Sequence, residues 1–516
     1  MNQKEIYNLF EIGKLLMDKK ALLIILFCIL LLLANDFSLF EHNKAINAHS
    51  REENSTNYGR KDTLADFKTV ITYNEPIIIN HLNDFISKAN SGSGTLEDPF
   101  ILANRIIDSK GKSGVFIQNL DAYFIIKNLQ ITNSGEYPNA GVFLNNVSNG
   151  YLVNNTLSAN KCGIWLNSSN NNVLVNNNAS NNLQGIFLTK SSNNMISENK
   201  VKSSINGIIM LESDDNVLST NIVSQTQYGY YIESSNNNNI SHNLAKDNND
   251  FGFYLDSVEN NIMINNTSKN SYYGFWLLSS NKTQLINNYA TDHLAGVVLE
   301  ESDNDILINN SLISNEFGIV LYYTENSTLV QNIANNNNYG IFLDSSNQSL
   351  LVKNVMHYNH YGLYLDISNR NMITNNSLYH NLLYGIYFVS TSNENIVTFN
   401  NFVENNQENS SQGYDAGVNN VFQYNYWSDH IKINNSNNIT IDLPYYIDGS
   451  VKNKDNSPLE KPNTEIFQYY NTTNMSLTTR ITLNSTKTTR GYDSGFVITV
   501  ILLSIIKNLT KVKKEP

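Results

Sequence analysis

Twelve glycines recur at Gly141, Gly163, Gly185, Gly207, Gly229, Gly252, Gly274, Gly296, Gly318, Gly340, Gly362 and Gly385; nine of the eleven intervals are 22 residues and two are 23. Each opens an apolar triplet: VFL, IWL, IFL, IIM, YYI, FYL, FWL, VVL, IVL, IFL, LYL and IYF. Eleven residues after each of the first eleven sits an apolar residue, from Leu152 and Leu174 to Ile373. Fourteen after each sits asparagine, from Asn155 and Asn177 to Asn376. A fixed period held this long is the signature of a repeat architecture. A disordered, asparagine-rich tract has no reason to keep such register.

The apolar runs are short, rich in β-branched and aromatic residues, and separated by Asn/Ser turns, which favours strands over helices. A 22-residue unit holds about three short strands and cannot bury its own apolar face. Parallel coils stacked about 4.8 Å apart bury it continuously. The expected fold is all-β: a right-handed parallel β-helix, a single-stranded solenoid of about 12–14 coils of 22 residues, its hand following the rule for parallel crossovers. Stacked asparagines can bond amide to amide along the rod, and asparagine tolerates the left-handed backbone of sharp corners. The glycine column is expected where a Cβ would crowd a corner.

The 516 residues carry a net charge of −12, which argues against a nucleic-acid partner, since that needs a basic footprint. Two cysteines cannot build a disulfide framework. Only 16% of residues are charged, against roughly 25% in an average soluble protein, so amides and hydroxyls must supply the polar surface. Lys19 and Lys20 precede an apolar run from Ala21 to Ala34, the length of a signal peptide or short anchor. Near the other end, the apolar run Phe496–Ile506 is closed by Lys507, Lys511, Lys513 and Lys514, the pattern of a membrane segment with a positive-inside stop. The expected division is residues 1–35, signal peptide or anchor; 36–75, linker; 76–403, β-helix with its N-terminal cap; 404–462, C-terminal cap; 463–493, Thr/Asn-rich stalk; and 494–516, short membrane segment with a Lys-rich tail. Such a chain is expected outside the cell, secreted or tethered to the membrane. Sequons such as Asn146, Asn178, Asn265, Asn309 and Asn375 suit an exported glycoprotein.

The middle residue of each triplet alternates outward from the core. Most are aromatic: Phe143, Trp165, Phe187, Tyr231, Tyr254, Trp276, Phe342, Tyr364 and Tyr387, interrupted by Ile209, Val298 and Val320. An exposed aromatic stripe marks a binding face, and flat rings suit a polysaccharide or surface glycan lying along the rod. The bland alternative is that aromatics are good strand formers. Two residues beyond this column lie Glu233, Asp256, Glu300, Asp344 and Asp366. Glu233/Asp256 and Asp344/Asp366 fall on adjacent coils, about 5 Å apart, a spacing compatible with a glycosidase carboxylate pair, with a Ca²⁺ site, or with ordinary solvated acids. His357, His360 and His380 fall near one corner of consecutive coils. Three imidazoles could hold copper or zinc, but no methionine cluster joins them and Cys162 lies many coils away, so ordinary turn histidines are the expectation and neither cofactor nor copper is expected.

Two flanking blocks carry a family resemblance. Gly92-Ser-Gly-Thr-Leu-Glu-Asp-Pro-Phe-Ile-Leu102 precedes the coils; Asn425-Tyr-Trp-Ser-Asp429 and Pro444-Tyr-Tyr-Ile-Asp-Gly449 follow them. With the repeat, these blocks make residues 76 to 460 resemble the NosD-like, carbohydrate-binding and sugar-hydrolase β-helices of archaeal and bacterial surfaces. The resemblance implies the β-helix fold. For function it implies three alternatives: a glycan-binding protein, a polysaccharide-processing enzyme (hydrolase or lyase), or a copper-linked maturation factor.

Overall fold

Each 22-residue unit folds into three strands joined by tight corners. In the coil opened by Gly207 these are Asn206–Leu211, Val217–Ser219 and Ile222–Ser224; in the coil opened by Gly163 they are Cys162–Asn167 and Val173–Val175, with the third reduced to a bridge at Asn178. The structure is a computed structural model that describes residues 71–73, 75–406, 411–430 and 440–463, all within one unit, Lys68–Ser476. The apolar runs at 21–34 and 496–506 lie outside the described residues, among which no helix is long and apolar enough to cross a membrane.

Stacking the units makes a parallel β-solenoid with three sheets. The long sheet has 15 strands, from Ile77–Ile79 to Gly413–Asp415. Three of these lie beyond the twelve glycine-led units: Ile77–Ile79 and Val115–Leu120 at one end and Gly413–Asp415 at the other. The second sheet stacks three-residue strands such as Val173–Val175 on Met195–Ser197. The third stacks strands such as Ile222–Ser224 on Leu244–Lys246. Register is one unit throughout: Trp165 pairs with Phe143 on one side and Phe187 on the other.

The interior explains the columns. Gly+1 and Gly+3 residues point inward and are fully buried, as are Leu152, Leu174 and their equivalents. Inward aromatics stack in turn: Tyr230 on Phe253 at 4.5 Å and Phe253 on Phe275 at 4.8 Å. The glycines lie within strands rather than at left-handed corners. A Cβ at Gly207 would sit 2.2 Å from the Gly229 carbonyl oxygen, and one at Gly318 2.4 Å from that of Gly340. Crowding by the next coil, not backbone conformation, requires glycine here.

Four non-glycine residues per coil take the left-handed backbone. In the coil of Gly318 they are Tyr323, Asn326, Gln331 and Asn336, with φ of 52–58°. The residue after each turns inward and is buried and polar: Thr324, Ser327, Asn332 and Asn337. The expectation for the Asn155–Asn376 column therefore needs one correction: its members form the ladder, but the left-handed position belongs to the residue before, which is of any type (Glu198, Thr220, Lys353). Asn310 shows why asparagine is chosen for the ladder. Its Oδ1 accepts from the Asn288 backbone N–H (2.9 Å) and Nδ2 (3.1 Å), and its Nδ2 donates to the Leu285 carbonyl (2.8 Å) and to Asn332 Oδ1 (2.9 Å). Donor and acceptor on one side chain satisfy buried groups of the coils on both sides at once.

Both ends are plugged. Helix α1, Leu82–Lys88, an element not foreseen from the sequence, lays buried Phe85 on Phe100 at 4.9 Å. At the other end Trp427 is stacked between Phe402 (4.1 Å) and Tyr445 (4.2 Å). Asn425 hands the ladder to buried Asp455, which accepts from its backbone N–H (2.9 Å) and Nδ2 (3.1 Å) and from Trp427 Nε1 (3.3 Å). The Tyr445 hydroxyl donates to Asp429 at 2.9 Å. The two C-terminal sequence blocks are thus cap chemistry.

Candidate functional site

Three columns lie on the outer face of the long sheet: alternation gives two of them, and the third follows from a break in alternation at the glycine, where the glycine and the residue after it are both buried. They lie one residue before the glycine, two after it and four after it. The triplet column was foreseen. The column before the glycine was not, although the sequence carries it plainly: Tyr228, Phe251, Tyr273, Phe317, Tyr339, Tyr361 and Tyr384. Together the two aromatic columns cover the face from Tyr228 to Tyr414, broken at the coil carrying Ala295 and Val298.

The amino-terminal part of the triplet column is not a free surface. Phe143, Phe187 and Ile209 retain only 7%, 8% and 5% of their exposure, and they cluster with Ala140 and buried Cys162. Trp165 is sandwiched between Phe143 (4.3 Å) and Phe187 (5.6 Å), and its Nε1 donates to Thr189 Oγ1 at 3.0 Å. The unit between Val115 and Val142 is longer than the glycine-led units that follow it. Its extra residues bring Tyr137 edge-on to Trp165 at 5.5 Å, with the Tyr137 hydroxyl bonded to Gln184. Burial raises the Cys162 thiol far above its ordinary range. The expected stripe therefore loses Phe143, Trp165 and Phe187 to packing.

Beyond Tyr228 the outward rings are half-buried, because they pack on one another. Tyr228, Phe251 and Tyr273 stack at 5.5 Å with interplanar angles of 11° and 16°; Phe317, Tyr339 and Tyr361 stack at 4.9 and 5.3 Å with 6° and 8°. Tyr364, Tyr387 and Tyr414 continue the triplet column at 4.9 and 4.4 Å. Coplanar rings cannot sit one coil apart, about 4.8 Å, without overlapping. Near-parallel rings at this spacing must stack face to face, with edges and hydroxyls outward. In the triplet stripe this closes the flat faces from Tyr364 to Tyr414, whereas Tyr231 and Tyr254 (39°) and Phe342 and Tyr364 (31°) are tilted to one another. Trp276 differs: it meets Tyr273 (4.2 Å, 73°) and Phe251 (5.3 Å, 67°) edge to face.

The carboxylates flank these rings. Glu233 and Asp256 are register partners, as are Asp344 and Asp366. The Tyr231 hydroxyl donates to Glu233 Oε2 at 2.8 Å and the Tyr254 hydroxyl to Asp256 Oδ2 at 3.1 Å. Ser345 Oγ donates to Asp344 (2.9 Å) and Thr391 Oγ1 to Asp366 (3.1 Å). Glu300 sits between the pairs. Partial burial raises its carboxyl above the usual range, the Trp276 indole N–H opposes this, and the charge of Glu301 adds to it. Burial lifts the Tyr364 phenol to about 12, with the Tyr387 and Asp366 neighbours adding to the shift.

The three histidines do not form one ligand set. His357 is buried, its Nε2 2.9 Å from Ser377 Oγ and its ring stacked on Tyr379 at 4.7 Å; burial, then the charge of His380, pushes it down to about 3. His380 pairs through Nδ1 with Glu404 at 3.2 Å and stacks on Tyr358 at 5.1 Å. His360 lines a shallow groove with Glu316, Asn338, Tyr358 and His380.

A family model described as periplasmic copper-binding protein (NosD) matches residues 101–272 and 252–430. No curated protein matches the chain in sequence. Among solved structures, the A-module of mannuronan C-5 epimerase AlgE4 of Azotobacter vinelandii is similar at 15% identity and a TM-score of 0.35, covering 70% of this chain and 88% of that one. The periplasmic alginate epimerase AlgG (T265N mutant) has 15% identity and a TM-score of 0.40, over 67% and 82%. The Dettilon tailspike protein has 10% identity and a TM-score of 0.32, over 58% and 60%.

Proposed function

The chain belongs to the NosD family, described as periplasmic copper-binding proteins, and from that premise we propose that it is an exported β-helix protein that binds a polysaccharide or surface glycan on the outer face of its long sheet, between Tyr228 and Tyr414. One observation carries this reading: two aromatic columns and one carboxylate column run in register along the same face. Aromatic edges and phenol hydroxyls give a long ligand apolar contact and hydrogen bonds on both sides of the break at Ala295 and Val298. The donors do not fit copper. His357 is buried against Ser377 and Tyr379, His380 is held by Glu404, and among the described residues no three His, Cys, Asp or Glu side chains come together.

The test is a glycan array probed with the full chain. Trp276→Ala and Tyr364→Ala should each weaken binding about tenfold, the effect of removing one aromatic anchor. Trp165→Ala should leave binding intact but lower stability by about 2 kcal/mol, less than for a fully buried aromatic because Trp165 is only half-buried. Unchanged binding in both Trp276→Ala and Tyr364→Ala would remove this face from the account. The register pairing of Glu233 with Asp256 and of Asp344 with Asp366 favours a second reading, a polysaccharide-processing enzyme. Product release from the bound glycan, abolished by Glu233→Gln or Asp344→Asn, would establish it.

A further inference from the structure

We infer that the ligand of this face is a cationic glycan, a polymer of unacetylated amino sugars, rather than a neutral or uronic one; the inference rests on the glycan-binding reading above and specifies its chemistry. From Tyr228 to Val389 the three outward columns hold no lysine or arginine. They hold Glu233, Asp256, Glu300, Asp344 and Asp366, and Asp250, Glu301 and Glu316 lie at the edges of the same face. The positive charges sit elsewhere: Lys200, Lys202, Lys246 and Lys269 lie on strands of the third sheet.

Hydrogen-bond polarity points the same way. The Tyr231 and Tyr254 hydroxyls already donate their protons to Glu233 and Asp256. What those groups offer outward is lone pairs on phenol and carboxylate oxygens. A polyuronate would bring carboxylates to carboxylates, and like charges in apposition are repulsive. A protonated amino sugar brings three donors and a positive charge to each acceptor cluster. Glu233/Asp256 and Asp344/Asp366 are each one coil apart, with Glu300 between the pairs beyond Leu278 and Tyr322. The coil rise of about 4.8 Å is close to the length of one pyranose unit, so successive sugars can meet the two acids of a pair.

The full chain is titrated with a β-1,4-linked glucosamine hexamer, its fully N-acetylated counterpart and an oligogalacturonate, at low and high salt. The glucosamine hexamer should bind about tenfold tighter than the acetylated one at low salt, the sum of several exposed ion pairs, and the advantage should fade as salt screens them. The Glu233→Gln/Asp256→Asn/Asp344→Asn/Asp366→Asn variant should lose the preference while keeping its circular-dichroism spectrum. Equal binding of the two hexamers, or tighter oligogalacturonate binding, overturns the inference and leaves the glycan-binding reading standing. Binding of no glycan in the wider array overturns both.

Discussion

At the scale of single residues, the described structure is a set of polar columns inside a hydrophobic tube. Asn310 is fully buried and serves groups on the two neighbouring coils. Asn310→Ala removes every one of those bonds, and each buried group left unsatisfied costs about 1–3 kcal/mol. Loss of about 3 kcal/mol is expected by denaturant unfolding; a loss below about 1 kcal/mol would mean that water replaces the amide. Asp305 occupies another ladder column among Asn261, Thr283 and Ser327 and is fully buried. Thr283 N–H donates to its Oδ1 at 2.7 Å, while its Oδ2 has no hydrogen-bond partner. Burial, above all, raises its carboxyl well above the ordinary range, Thr283 N–H lowers it, and the charge of Asp303 raises it further. A folded-state value above the unfolded one means that stability is fullest at acid pH and falls as pH rises toward the folded value. Asp305→Asn should therefore stabilise the protein at pH 7 and make little difference near pH 3. An equal melting-temperature gain at both pH values would refute this assignment.

At the scale of elements, strand stacking depends on what the glycine column leaves out. A Cβ at Gly318 meets the Gly340 carbonyl at 2.4 Å, Asn337 Nδ2 at 2.9 Å and Ala334 Cβ at 3.0 Å. Neither the backbone oxygen nor the ladder amide can move without disturbing the next coil. Gly318→Ala should cost about 1–3 kcal/mol, the usual price of overpacking, and should speed hydrogen exchange in the strands Phe317–Tyr322 and Tyr339–Asp344. Unaltered exchange there would show that the coil opens to admit a methyl group. The coil repeat was legible in the sequence at this scale because every unit meets the same neighbours. Helix α1 was not, since it occurs once and its one buried anchor, Phe85, leaves no periodic trace.

At the scale of the solenoid, coils touch only their neighbours, so opening is expected to begin at the ends. Phe85 closes one end of the apolar core. Phe85→Ala should raise hydrogen exchange across residues 77–132 and leave the coils from Gly229 to Gly362 protected. Uniform loss along the whole rod would instead mean that the array unfolds as one cooperative unit.

The sequence alone determined the parallel β-solenoid, its unit length and register, the asparagine ladder, and the outward direction of the triplet and carboxylate columns on the long sheet. These follow from a period, and a period is a one-dimensional property. The tertiary structure decided three things that the period does not contain. The non-repeating residues around Tyr137 pack edge-on against Trp165, and Ala140 clusters with Phe143, Phe187 and Cys162, burying Phe143 and Phe187 and leaving Trp165 half-buried. The column before the glycine joins the triplet column, and rings one coil apart stack face to face, turning edges and hydroxyls outward. The histidines, neighbours in the unit, point to different partners. Side-chain rotamers and single insertions fix these outcomes, and both depend on contacts between residues whose spacing along the chain follows no rule.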